Sequence, residues 1–249
     1  MKYTYFNKWA LPILTIKNEL HDNMQQSLVE ESMKWGKDSK LDGNLLTDRK
    51  TGDRSGRMFK SGIYESSYQF FQEAEQHGGC PTLLNLRSWM SDAFRDVFYN
   101  YFVLEGNYPD SYVEDFTDKG ITIDDIRVDL RESWLHITGD GGYHGTHHHP
   151  NHSWGLIYYV DVADSTINNG NNLFYSHATN MYQEFGNFWQ HSDLFSPIPE
   201  NGLMIAFPAD TLHSANVYRT DKSNRIVIAG NVRVYCDKWD LSKEDEGTY

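Results

Sequence analysis

The chain has 249 residues, a formal net charge of −13 and 39% hydrophobic content, enough for a real core in one large domain or two small ones. The acidic balance argues against nucleic acid or an acidic membrane as a partner, because the average field repels phosphate. No apolar run reaches the roughly 18–20 residues of a membrane helix, and the two cysteines, Cys80 and Cys236, are too few and too far apart for a disulfide scaffold or a cysteine-built zinc site, which suits a reducing cytoplasm.

Residues 1–14 read as an extended entry segment, with Phe6, Trp9, Leu11, Ile13 and Leu14 available to pack. Lys8 and Pro12 break its apolar stretch and no small-residue cleavage site follows, so it is expected to stay with the folded protein rather than act as a leader. From Ile16 to Trp35 the apolar residues Leu20, Met24, Leu28 and Met33 recur at helical spacing, which predicts an amphipathic helix. Residues 37–57 are rich in Gly, Asp, Lys and Arg and read as a loop. Residues 82–104 give the clearest helix: Leu83, Leu86, Met90, Phe94, Val97 and Tyr101 trace one face at three- and four-residue steps. Thr82, after Pro81, is its start signal, and Gly106, Asn107 and Pro109 end it.

Beyond residue 121 the texture changes to strand-like runs at 126–137, 153–162, 172–176, 202–208 and 225–235, separated by turn residues. No further apolar helix alternates with them, which disfavours a parallel βαβ sheet. The expected architecture is mainly β with helical support in one domain. Helices and loop occupy 1–120, an antiparallel sandwich or barrel 121–236, and a solvated tail 237–249. The 14% aromatic content suits a β-rich core with a large pocket.

Six of the 11 histidines fall between His136 and His152. In an extended run alternate side chains share a face, so His147 and His149 point one way and His148 the other. An H-x-H pair at a strand end, closed by Pro150 and Asn151, offers two imidazoles to one metal, and neutral imidazole suits Fe, Zn, Cu or Ni. The bland alternative is a polar loop of ordinary hydrogen-bonded histidines. A third ligand should come from a distant strand, and His213, after the apolar run ending in Phe207 and Pro208, is the best candidate. Arg225 lies twelve residues further on, at the start of the last strong strand. A charge entering an apolar strand needs a partner, and a bidentate carboxylate is the natural one; a structural salt bridge or an exposed strand start are the alternatives.

At these residues the sequence resembles the 2-oxoglutarate- and Fe(II)-dependent oxygenases, which carry an H-x-[D/E/H] pair after a strand, a distal histidine, and an arginine about ten residues later. The run from Trp134 to Pro150, W-x-x-x-x-G-x-G-G-Y-x-x-x-H-x-H-P, is more similar still to the oxygenases of this type common in phage and marine bacterial genomes. F-P-x-x-x-x-H (Phe207 to His213) and Ile157-Tyr158-Tyr159-Val160 also fit, so the resemblance spans roughly 126–235. It implies a double-stranded β-helix (a jelly-roll or cupin-like core) and Fe(II) held by His147, His149 and His213. It implies 2-oxoglutarate gripped by Arg225, with Tyr159 and His136 as further contacts, and O2 as the oxidant. The implied reaction is hydroxylation at an unactivated C–H bond of a small-molecule or amino-acid-like substrate, with release of succinate and CO2. The β-rich edges allow a homodimer.

One departure is plain: most such enzymes use two histidines and a carboxylate, and no Asp or Glu stands at or beside position 149. Either the site is three neutral imidazoles, or His149 lies outside the coordination sphere and His144, His148 or His152 are the other candidates. Two rival readings follow. One is a three-histidine dioxygenase or lyase on a cupin-like barrel without 2-oxoglutarate. The other is a non-enzymatic β-sandwich binding module.

Overall fold

The computed structural model describes residues 3–8, 11–37, 43–45, 62–78, 80–107, 119–149, 151–176 and 194–238. Trp9, most of the 37–57 loop and the tail from 239 lie outside the described residues. Within the loop, Gly43–Leu45 is a short strand.

The chain begins with two strands, β1 (Tyr3–Lys8) and β2 (Leu11–Lys17), paired as a hairpin. Helix α1 (His21–Lys37) follows, then β3 (Gly43–Leu45), β4 (Ile63–Ser66), α2 (Phe70–Gln76) and α3 (Pro81–Phe98). The second half is nearly all strand. It comprises β5 (Ile126–Thr138), β6 (His144–His147), β7 (Trp154–Asp161), β8 (Asn172–Tyr175), β9 (Leu194–Phe195), β10 (Leu203–Pro208), β11 (His213–Ala215) and β12 (Arg225–Cys236). No described helix is long and apolar enough to cross a membrane.

Two sheets result. The larger runs β1-β2-β10-β7-β12-β5-β4-β3 and the smaller β6-β11-β8-β9, with every pairing between named strands antiparallel. Along the chain from β5 the strands pass back and forth between the sheets, so the central β10-β7-β12-β5 faces β6-β11-β8-β9. That winding is the double-stranded β-helix.

The alternation of side chains sets what each face meets. In β7, Leu156, Tyr158 and Val160 point outward to the helices while Ile157 and Tyr159 point into the barrel. In β12, Ile226 and Ile228 go out, and Val227 and Ala229 go in. Both faces are covered, so these strands read as continuous apolar runs rather than as alternating ones. The outer face is covered chiefly by α1, α2 and α3. All six apolar positions expected to line one face of the last helix, from Leu83 to Tyr101, are buried, each contributing on the order of 1.5–3 kcal/mol. Pro81 fits the first turn of α3 because its missing N–H is not needed there. The helix continues past Phe98 as a wider π turn, Tyr99–Leu104.

The first helix starts later than its spacing suggests. Ile16 belongs to β2, paired opposite Met204 of β10, and Leu20 is 62% exposed. Sheet pairing overrides helical periodicity here. Asn18 marks the boundary: its side-chain oxygen accepts from the Leu20 N–H (3.0 Å) and its carbonyl from the His21 N–H (3.1 Å). The start of α1 is then anchored to the sheet. His21 Nδ1 lies 2.7 Å from the Tyr158 hydroxyl, and Asn18 Nδ2 donates to the same oxygen at 3.1 Å.

Gly202 sits against this anchor with φ +76°, and a Cβ there would lie 2.4 Å from His21 Cβ. Gly202→Ala therefore combines a left-handed backbone cost of about 1–2 kcal/mol with overpacking of about 1–3 kcal/mol. We expect a loss of about 2–4 kcal/mol, read as a lowered urea midpoint at unchanged slope.

Candidate metal centre

His147 of β6 and His213 of β11 are directly opposite in the antiparallel register, and opposite residues share a face of the sheet. Both therefore point into the barrel. His149 lies two residues beyond His147, on the same side. Its backbone N–H donates to Ala209 O at 2.7 Å, tying it to the turn after β10. His148 faces the other way and is exposed. One ring nitrogen from each of His147, His149 and His213 lies within 4.8 Å of the others. The ring centroids are 4.2 Å (147–213), 4.8 Å (149–213) and 5.1 Å (147–149) apart.

The hydrogen bonds select the tautomers. Nδ1 of His147 meets Gly145 O at 2.8 Å, Nδ1 of His213 meets Thr211 O at 3.0 Å, and Nδ1 of His149 meets Asn231 Oδ1 at 2.5 Å. All three partners are acceptor oxygens, so each Nδ1 carries the proton and each Nε2 is left with a lone pair. Asn231 is in turn fixed by donating to Glu132 Oε2 at 2.7 Å, the carboxylate that His152 Nε2 also approaches at 3.2 Å. Such outer partners orient metal-bound imidazoles. The donor set fits a first-row divalent metal, and no carboxylate belongs to it. Asn231→Ala frees the His149 ring to rotate, and we expect a 10- to 100-fold loss of metal affinity, measured by titrating metal-free protein.

Burial holds all three imidazoles neutral. It pulls His149 down to about 3, with His147 adding repulsion. It lowers His213 well below the ordinary range and His147 less far. The sign of the linkage follows. Between pH 6.5 and about 3 the unfolded chain protonates His149 and the folded chain does not, so stability is full above that window and is lost as pH falls through it. For the metal-free protein we expect His149 alone to contribute a loss of roughly 2 kcal/mol from pH 6.5 to 5, seen in urea midpoints. A flat profile would contradict neutral, buried rings.

A cation faces the same pocket. Arg225 is the first residue of β12, opposite Thr138 of β5, and its side chain enters the barrel at 3% exposure. Nη2 donates to Asn172 Oδ1 at 2.7 Å and the guanidinium lies 5.3 Å over the Tyr159 ring, but Nε has no partner. Among the described residues no carboxylate pairs with it. Burial disfavours its charge, yet an arginine cannot shed its proton. Tyr159 is fully buried beneath it, its hydroxyl donating to the same Asn172 oxygen at 2.7 Å. The pocket lined by His147, His149 and His213 is lined also by Arg225, Asn172 and His136. His136 Nε2 lies 2.6 Å from the buried carboxylate of Glu65, and the His144 ring meets the His147 ring edge-on, with centroids 4.2 Å apart.

Asn231, Asn172 and Glu65 are absent from the sequence-based candidates. Asn231 had a local signal, a polar residue inside an apolar strand run. Asn172 opens a short strand after Asn171 and carried no such contrast. Glu65 lies in a four-residue strand that no periodicity announces.

Residues 132–231 match the family described as "Putative 2OG-Fe(II) oxygenase". Over that barrel-building segment the chain is similar to the 2-oxoglutarate/Fe(II) oxygenases. Among solved structures, HygX from Streptomyces hygroscopicus, with nickel and 2-oxoglutarate bound, is 10% identical. It superposes with a TM-score of 0.51 over 92% of this chain and 85% of its own, a likeness of fold. A 2OG-Fe(II) oxygenase-family oxidoreductase from Burkholderia pseudomallei (8% identity, 89% and 84% covered, TM-score 0.48) and a Pseudomonas putida prolyl-4-hydroxylase (9%, 89% and 92%, 0.48) also align. No curated protein matches the chain. Fe(II), 2-oxoglutarate and O2 are the metal, co-substrate and oxidant of the oxygenases that this segment resembles.

Proposed function

We propose that this oxygenase hydroxylates an aliphatic C–H bond of a small molecule, with His147, His149 and His213 holding Fe(II) and Arg225 gripping the distal carboxylate of 2-oxoglutarate. The observation that carries the reading is the buried Arg225, without a carboxylate partner among the described residues, in the pocket that the three histidines line. A lone buried cation is costly; a dicarboxylate anchored there removes that cost with paired hydrogen bonds.

When bound, Fe(II) and 2-oxoglutarate supply oxidative decarboxylation coupled to O2 activation, leaving succinate and CO2. The chain's own residues supply position and dryness. The three Nδ1–H donors fix the imidazole planes so that Nε2 faces one point. Tyr159 and Asn172 brace Arg225 so that its remaining N–H groups face the pocket. Trp134, Phe174 and Phe207, packed on the histidine rings, exclude water from the apolar side. Three neutral ligands leave the metal its full charge, which favours anionic ligands in the open positions.

The test is succinate formation by the Fe(II) protein with 2-oxoglutarate under O2, expected above a metal-free control. No succinate, even uncoupled from a substrate, would reject the reading. The all-imidazole set also suits a keto-acid-independent dioxygenase, for which Arg225→Met would leave activity intact.

A further inference from the structure

The three-histidine cluster is built from a cross-strand pair and one further imidazole. The same construction occurs a second time in the pocket. Glu65 of β4 and His136 of β5 are directly opposite in register and point inward, with Glu65 2% and His136 7% exposed. His144, the first residue of β6, closes on them from the facing sheet, its ring centroid 5.1 Å from that of His136. One donor atom from each of Glu65, His136 and His144 lies within 4.8 Å of the others, a bound that the first cluster also meets. His136 and His144 both line the pocket.

We propose that Glu65, His136 and His144 form a second divalent-cation site beside the three-histidine site. Two imidazoles and a carboxylate are a donor set suited to first-row divalent metals. Glu65 comes from β4, outside the 132–231 segment that matches the family, so this site draws one of its three ligands from the chain's N-terminal half. It assigns His136 to the cation rather than to 2-oxoglutarate. The open positions of such a cation face the pocket, where they would take an oxygen donor of the substrate. The inference does not depend on the oxygenase reading.

The experiment is titration of metal-free protein with Co2+, following visible absorption and the number of ions bound by native mass spectrometry. The wild type is expected to bind two equivalents. Glu65→Gln and His144→Ala are each expected to bind one, and His213→Ala to lose the other. Saturation at one equivalent that His213→Ala abolishes would overturn this inference and leave the three-histidine site standing. One equivalent that survives His213→Ala but not Glu65→Gln would support it and overturn the three-histidine reading. Cobalt anomalous scattering from wild-type crystals reads the same question without a variant: two peaks support the inference, and a single peak among His147, His149 and His213 overturns it.

Discussion

His213→Ala is expected to abolish ferrous binding in the three-histidine site and, with it, succinate formation. Outer partners of metal-bound imidazoles are each worth about 10- to 100-fold in affinity, so removal of a ligand itself should exceed 100-fold. The reason for choosing this residue is its place in the smaller sheet. His213 is paired on both sides, opposite His147 and opposite Phe174, so its place in the sheet is fixed from both neighbours. The ring also packs on Phe174 and Phe207, and its loss leaves a cavity costing about 2–5 kcal/mol. Binding must therefore be read where the variant is still folded. A ligand that binds only the folded state at 100 times its Kd stabilises it by about 2.7 kcal/mol. Divalent metal should raise the melting temperature of the wild type more than that of His213→Ala. Equal shifts would show that His213 is not a ligand.

Arg225→Met separates stability from function in opposite directions. Removing one partner of a buried, hydrogen-bonded charge pair costs about 2–5 kcal/mol of binding, so the Kd for 2-oxoglutarate should rise roughly 30- to 4,000-fold. The ligand-free protein, by contrast, loses a buried cation that rests on Asn172 and the Tyr159 ring and pairs with no carboxylate among the described residues. Replacing buried charge with an apolar side chain of similar length often stabilises by about 1–4 kcal/mol, and we expect the urea midpoint of Arg225→Met to rise. Arg225→Lys keeps the charge but not the bidentate fork, and should fall between wild type and Met in 2-oxoglutarate affinity. A Met variant with unchanged affinity would remove Arg225 from the account.

The strands of the second half were legible because their composition is local. Runs such as 225–235 are apolar on both faces and bounded by turn residues, and the observed β12, Arg225–Cys236, differs by a single residue at one end. The H-x-H spacing likewise fixed the shared face of His147 and His149 through a period-two rule that needs no tertiary knowledge. What was not legible depends on pairing between distant segments. Ile16 looked helical until β2 found β10 as a partner. Glu65 carries meaning only because β4 is in register with β5. Asn172 matters because β8 brings it against Arg225, 53 residues away in sequence. Contacts of that range leave no periodic trace, and a polar residue at the edge of a short strand looks like any turn residue.

The most direct measurement is a crystal structure of the protein grown anaerobically with Fe(II) and 2-oxoglutarate, with iron located by its anomalous scattering. The account expects iron bonded to Nε2 of His147, His149 and His213 at about 2.0–2.2 Å, chelated by the keto acid, whose far carboxylate meets Arg225. Iron that omits any of the three imidazoles, or a keto acid lying away from Arg225, would contradict it.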